Sequence, residues 1–309
     1  VPKVLVRARG LTKRFGSFIA VDGINFDLFR GEAFGFLGPN GAGKSSTMRM
    51  LGCVSPPTLG DLTILGGDPI RDGAAIRARL GVVPQEDTLD GELTVRENLL
   101  VYGRYFGLSR KLINERTDQL LDFVQLTERA NDQVDPLSGG MKRRLTIARS
   151  LINDPEILIL DEPTTGLDPQ ARHVVWDRLF SLKQRGVTLI LTTHYMEEAE
   201  QLCDRLVVMD HGRIAAQGTP RELIAQYSTP EVVELRFPPG QQEEWVAKIK
   251  DLSPERMEVT ADRMLLYAAD GDEFLERVRA AGIEPLTELV RRSSLEDVFL
   301  HLTGRTLVD

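Results

Sequence analysis

Cysteine is nearly absent from this sequence: Cys53 and Cys203 stand far apart, without a Cys-x-x-Cys spacing, which excludes a disulfide framework and suits a reducing compartment. Both lie in apolar surroundings, so buried free thiols are expected. Long apolar runs are missing too. None approaches the roughly 20 residues a helix needs to cross a bilayer, and no basic stretch precedes an apolar core of signal-peptide type. The chain is expected to be soluble and cytoplasmic, reaching a membrane only through a partner. Basic charge is not in excess either: 38 Lys and Arg face 46 Asp and Glu, a formal net charge of -8, so a broad nucleic-acid footprint is not expected. There is no internal repeat and no low-complexity segment.

What is present is the composition of a globular protein, 42% hydrophobic and 27% charged over 309 residues, with material for about two domains. From Val4 to about Tyr227, apolar runs such as "EAFGFL", "EILIL", "VTLILTT" and "RLVVMD" alternate with longer amphipathic stretches. Near-continuous apolar strands separated by helices predict a parallel sheet covered on both faces, an α/β domain. Val95 to Arg129 lacks such strands and carries apolar residues at helical spacing, predicting a helical subdomain over about residues 86–150. Pro230, Pro238 and Pro239 then punctuate the chain, placing a boundary near residue 228 and a small α+β domain over residues 229–309. In that domain "IEPLTELV" reads as a strand, and Ser293 with Glu296 reads as a capping box opening the last helix.

The chemistry starts at "GFLGPNGAGKSSTMRMLG". Gly38, Gly43, Lys44 and Ser45 satisfy G-x-x-x-x-G-K-[ST] between an apolar strand and a helix-like segment. Glycines let the backbone of Gly38, Pro39, Asn40, Gly41, Ala42 and Gly43 wrap phosphates, and N–H groups at the helix start supply donors and partial positive charge. Lys44 adds a full charge toward the β- and γ-phosphates, Ser45 places a hydroxyl for Mg²⁺, and Ser46 adds another to the cradle. A glycine turn beside a surface lysine is the plain alternative, and the agreement of residues with context sets it aside. In "ILILDEP", Asp161 ends a buried strand, where parallel sheets place ligands. It is expected to hold Mg²⁺, while Glu162 orients and polarises an attacking water. A lone acidic pair could be a solvated turn, but beside a phosphate loop that reading weakens. His194 ends another apolar strand and is a candidate γ-phosphate sensor as well as a candidate core histidine.

"LSGGMKRR", Leu137 to Arg144, resembles the signature motif of ABC transporter ATPases. Around it stand, in that family's order, the phosphate loop, Gln85 in "VVPQED", "ILILDEP", "GLD" at Gly166 to Asp168, and His194. The resemblance covers roughly Val4 to Tyr227, and six ordered motifs are far more specific than one. It implies a P-loop ATPase domain of ABC type that works as a head-to-tail homodimer. Each ATP would lie between one subunit's phosphate loop and the other's Ser138, Gly139 and Gly140, with Asp168 positioning the neighbouring site. Gln85 would join Mg²⁺ and the water to the helical subdomain. Two departures stand out: Met141 where the signature most often has Gln, and Phe15 where many relatives have Tyr for stacking adenine. A π-face suffices for stacking, and no N-K-x-D pattern points to guanine.

The resemblance implies a separate polytopic permease, with two copies of this chain serving two permease subunits at the cytoplasmic face of a bacterial membrane. Tyr102, Tyr105 and Phe106 are candidates for the groove that receives a permease helix, with core packing as the alternative. The segments "MLGCVSPPTLGDLTILG", "TTHYMEEAEQLCDRLVVMDHGRI" and "SLEDVFLHLTG" look most like subunits of bacterial drug, lipid or nodulation-factor exporters of the daunorubicin-resistance kind. Export of an amphipathic substrate is therefore expected, and the C-terminal domain is expected to regulate or steady the dimer. One rival is a soluble ABC ATPase of translation or DNA repair, which usually carries paired cassettes or long coiled coils, whereas this chain has a single phosphate loop. The other is a purely regulatory or structural ATP-binding module, against which Glu162 argues, since a module that only binds needs no carboxylate aimed at water.

Overall fold

The computed structural model describes residues 3–86, 88–238, 242–260 and 262–304; Pro239 lies outside them. The chain divides into two compact units, Val1–Gln217 and Gly218–Asp309.

In the first unit, β1 (Val4–Phe15) and β2 (Phe18–Phe29) form a long hairpin, and β3 (Ala33–Leu37) runs into α1 (Lys44–Leu51). Then come β4 (Leu59–Ile64), α2 (Gly73–Arg77) and β5 (Leu80–Val83). The helical stretch contains α3 (Val95–Tyr105), α4 (Arg110–Phe123), a single 3₁₀ turn and α5 (Gly139–Ser150). The chain returns through β6 (Ile157–Asp161), α6 (Pro169–Gln184), β7 (Thr188–Thr193), α7 (Met196–Leu202), β8 (Arg205–Asp210) and β9 (Arg213–Gly218). Six strands form one sheet in the order β5-β6-β7-β3-β8-β9, with β5, β6, β7, β3 and β8 parallel to one another. All residues of β3 and β7 are buried, as strands covered on both faces require. Gly35 in β3 has no room for a side chain, since a Cβ there would lie 2.6 Å from Cys203 Sγ. Cys203 is buried as expected, whereas Cys53 is only half-buried, on the turn after α1.

A second, antiparallel sheet in the order β2-β1-β4 is not among the sequence expectations. Its long strands mix apolar and charged residues, as in "VLVRARGLTKRF", because one face packs on the core and the other meets solvent. The helical stretch has its own core of Val95, Leu99, Leu121, Val124, Leu137 and Leu145. Met141 packs against this core, so the residue that replaces the usual Gln serves helix packing.

The second unit opens with α8 (Pro220–Tyr227), followed by β10 (Glu231–Arg236), α9 (Gln242–Asp251), β11 (Arg256–Val259), β12 (Met264–Ala268), α10 (Gly271–Ala280), β13 (Thr287–Arg292) and α11 (Leu295–Thr303). Its antiparallel sheet runs β11-β12-β10-β13. The division falls ahead of α8, whereas the prolines place it behind, because α8 packs on α11. Two local expectations shift. The strand read from "IEPLTELV" begins only at Thr287, past Pro285, and runs on to Arg292. The last helix is capped one residue later than expected: Asp297, not Glu296, accepts from the backbone N–H of Ser294 at 2.8 Å.

Candidate active site

The phosphate loop connects β3 to α1, and two of its glycines are required by close approach. A Cβ on Gly38 would lie 2.4 Å from the Met209 carbonyl oxygen, and one on Gly43 would lie 2.3 Å from that of Ala20. Gly43 also takes φ 99° to cap α1, a conformation open to glycine without strain. The loop closes around Lys44, whose Nζ donates to the carbonyls of Gly38 at 2.6 Å and Pro39 at 3.0 Å. Burial pushes the Lys44 ammonium below its ordinary range, against the pull of Glu162 and Asp161. Pro39, Asn40, Gly41, Gly43, Lys44, Ser45 and Ser46 line one cleft with Gln85 and Glu162. Ser45 and Gln85 also line the adjoining cleft, with Asp161. Ala42 lies beneath the loop, buried.

Glu162 is the centre of the polar cluster. It leaves β6 with φ 47°, a left-handed conformation rare for a side chain of this kind. Its backbone N–H donates to Thr192 Oγ1 at 3.0 Å, and the Thr192 hydroxyl donates in turn to the Asp161 carboxylate. Glu162 Oε2 accepts from Gln85 Nε2 and from the Thr165 hydroxyl, each at 3.1 Å. Oε1 faces His194 Nδ1 at 3.4 Å and Lys44 Nζ at 4.0 Å. The contact with His194 holds the carboxyl below the usual range despite its burial, and Lys44 and Thr165 pull the same way. The result is an ionised, oriented carboxylate beside a phosphate loop.

The signature residues and Asp168 occupy a different place. Ser138 caps α5, accepting from the Met141 N–H at 3.3 Å, and Asp168 caps α6, accepting from the Ala171 N–H at 2.9 Å. Ser138, Gly139 and Asp168 are exposed, and neither cleft wall includes them or Gly140. The two helix starts touch, since a Cβ on Gly140 would come within 2.8 Å of Ala171 Cβ. Phe15 is 51% exposed on the β1–β2 hairpin, with Lys13 Nζ 5.2 Å from its ring. The aromatic in the phosphate cleft wall is Phe18.

Four contributors escape sequence inspection. Thr192 and Thr165 read as ordinary strand and turn residues, and only their partners give them a role. Arg143 reads as a surface charge of the signature, yet it is buried. Glu198, four residues past His194, is fully buried, accepting from the Thr164 hydroxyl at 2.8 Å and the Trp176 indole at 3.0 Å. An acid one turn beyond His194 in the helix that follows was the available signal.

Among the described residues no three His, Cys, Asp or Glu side chains gather as a self-contained metal site. Ser45, Gln85 and Asp161 on one cleft wall instead form the sparse oxygen set typical of Mg²⁺, which is completed by water and substrate phosphates. The residues fit that ion. No helix among the described residues is long and apolar enough to cross a membrane.

Comparison with known proteins matches residues 21–165 to the family described as ABC transporter, and residues 243–304 to the C-terminal domain of the nodulation factor export protein NodI. The chain is 50% identical, over 99% of its length and 99% of the relative's, to the Nod factor export ATP-binding protein I of Rhizobium sp. (strain N33). It is 47% identical to the protein of that name from Paraburkholderia xenovorans (strain LB400), over the whole of both chains. Among solved structures, cbiO1 from Clostridium perfringens, part of the ABC transporter complex cbiONQ, superimposes with TM-score 0.67 at 30% identity, over 72% of this chain and 91% of that one. The dimeric ATP-binding cassette MJ0796 bound to ADP and Pi superimposes with TM-score 0.63 at 28% identity, over 69% and 98%. With the phosphate loop, the acidic pair and the signature helix in place, the chain belongs to the ATP-binding, ATP-hydrolysing subunits of ABC transporters and resembles those of nodulation-factor exporters.

Proposed function

We propose that this subunit hydrolyses ATP to drive export of a nodulation factor or a related amphipathic molecule through a separate membrane permease. The observation that carries the ATPase half is the grip on Glu162 by Gln85, Thr165, His194 and Lys44. The export half is supported by identity along the full length to proteins named for Nod factor export.

In this reading, the loop N–H groups from Gly38 to Gly43 and the ammonium of Lys44 bind the β- and γ-phosphates. Glu162 accepts the proton of the attacking water, and His194 meets the γ-phosphate. Ser45, Asp161 and Gln85 would hold Mg²⁺, which neutralises phosphate charge when bound. Phe15 offers its exposed face to adenine. Ser138, Gly139 and Asp168, exposed at two helix starts, and the half-buried Gly140 complete the site of a second copy in a head-to-tail homodimer. The cassette MJ0796, which is dimeric, supports a dimer. The subunit lies on the cytoplasmic face of the membrane, where two copies serve two permease subunits. Tyr102 packs on Arg149 with the guanidinium 4.8 Å from its ring and meets the Tyr105 and Phe106 rings edge-on, so Tyr105, 78% exposed, offers its outer face for that contact. Residues 229–309 steady the dimer or regulate turnover.

The test is affinity purification of the Glu162→Gln chain from native membranes with ATP and Mg²⁺, followed by mass spectrometry. A stoichiometric polytopic membrane protein is expected. Ribosomal or DNA-repair partners without a membrane protein would favour the soluble rival.

A further inference from the structure

Arg143 lies on α5, five residues beyond Ser138, and is 9% exposed. Its guanidinium donates to a set of backbone carbonyls. Nε donates to Pro163 at 2.7 Å, and Nη2 donates to Asp161 at 3.0 Å and Glu162 at 3.1 Å. Nη1 donates to Pro84 and, at 3.5 Å, to Gln85. These acceptors fall on two segments, the end of β6 with its turn and the turn after β5, and their side chains Gln85 and Glu162 meet at 3.1 Å. A planar fork of five N–H donors on a fixed geometry can satisfy such a set, whereas a lysine ammonium, a point charge with three donors, cannot span it. The clamped turn is also where Glu162 takes its left-handed φ of 47°, a conformation that persists only when the surroundings over-determine it.

We propose that Arg143 is a positioning residue that sets the Glu162 and Gln85 backbones against each other from the signature helix, so that displacement of α5 displaces the water-activating carboxylate. Along a helix, five residues are about 7 Å, so one short lever joins the exposed Ser138 to the clamp. This second step rests on the reading of Ser138 as the contact to a partner's nucleotide. On that reading, arrival of phosphate at Ser138 is transmitted to the Glu162 of the same chain, and the two ATP sites of the dimer become coupled.

The experiment uses the full-length chain with Arg143→Lys, Arg143→Met and Arg143→Ala. It reads kcat, the Hill coefficient for ATP, equilibrium binding of a fluorescent ATP analogue, and the melting temperature. A loss in kcat of about 10²-fold, the scale of a 1 Å misplacement, is expected in Arg143→Lys and Arg143→Met, with nucleotide affinity unchanged and a Hill coefficient near one. Added guanidinium ion should restore part of kcat to Arg143→Ala and none to Arg143→Lys. Wild-type kcat in Arg143→Met overturns the proposal. So does parallel loss of affinity, melting temperature and kcat without guanidinium rescue, which would mark Arg143 as a packing residue. A Hill coefficient unchanged while kcat falls rejects transmission along α5. Ser138→Arg, assayed alongside for ATP-driven dimerisation, reports separately on the partner-contact reading: undiminished dimerisation sinks that reading, while kcat of the Arg143 variants still decides the clamp.

Discussion

Gln85 and Glu162 are 77 residues apart in the chain, yet the Gln85 amide donates to Glu162 Oε2 at 3.1 Å. The register of the parallel sheet explains it. Val83, the last residue of β5, pairs with Leu160, the last but one of β6, so the residues two beyond each of this pair stand side by side above the sheet, where open α/β folds bind ligands. Gln85 and Glu162 are thus placed by strand pairing and not by their own loops.

Glu162→Gln should preserve that pairing geometry while removing the charge proposed to accept the water's proton. ATP binding is expected to survive and turnover to fall by about 10²–10⁴-fold, the usual span of general-base catalysis. With product formation blocked, an ATP-held dimer should accumulate on size-exclusion chromatography. Normal hydrolysis by this variant would take the base role away from Glu162.

Thr192→Val tests the bridge beneath the acids. The hydroxyl accepts from the Glu162 N–H and donates to Asp161, so an isosteric valine leaves a buried N–H unpaired. The expected cost is about 1–3 kcal/mol of stability, with a fall in kcat larger than the change in KM, because the side chains that hold substrate phosphates are untouched. A variant as stable and active as wild type would mean that the bridge is dispensable.

How much of this was legible in the sequence follows from the range of the interactions. The phosphate loop, Asp161, Glu162 and His194 could be found because each sits at the end of an apolar strand, and a strand of four or five buried residues announces itself. The hairpin of β1 and β2 could not, because part of each strand faces solvent and its pattern is diluted by the exposed Arg7, Arg9 and Arg14 and by the buried Lys13. Arg143 and Thr192 were illegible for another reason. Their roles consist of partners 18 to 59 residues away, and a lone arginine or threonine carries no local mark of that. The α8 boundary was misplaced since prolines signal a break in chain regularity and say nothing of which unit a helix packs against.

Glu198 supplies a pH test in the first unit. Burial raises its carboxyl above the ordinary 4.5, against hydrogen bonds from Thr193, Trp176 and Thr164 and the charge of Arg172. An acid raised by folding holds a proton that the unfolded chain has released, so its contribution is fully present below 4.5 and is lost as pH rises through the folded value. Glu198→Gln keeps an acceptor for Thr164 and Trp176 but cannot ionise. Its melting temperature relative to wild type should therefore climb with pH above 4.5. A gap that stays constant across that range would show that ionisation of Glu198 is not what the fold resists.

The second unit gives the opposite sign. Asp297 is fully buried, and although burial alone would raise its carboxyl, Arg291, the Ser294 N–H and Tyr267 together hold it below the ordinary 3.8. The pair is tight: Arg291 Nη1 reaches Oδ2 at 2.7 Å and Nη2 reaches Oδ1 at 2.9 Å, with Tyr267 donating to Oδ1 at 3.0 Å. A group lowered by folding contributes stability above its unfolded value and loses it as pH falls through the folded one, so acid should unfold this unit partly through Asp297. Asp297→Asn leaves Arg291 with Glu234, at 2.5 Å, as its anionic partner and takes away the second carboxylate of a largely buried cation. Breaking such a pair from one side costs about 3–5 kcal/mol, whereas replacing both partners by apolar residues costs far less. The double variant Asp297→Leu with Arg291→Met should accordingly melt above Asp297→Asn, and its stability should be less sensitive to acid than that of wild type. If Asp297→Asn melts with the wild-type chain at neutral pH, the pair is not what holds β13 to α11, and the apolar contacts of Val298, Phe299 and Leu300 carry that junction alone.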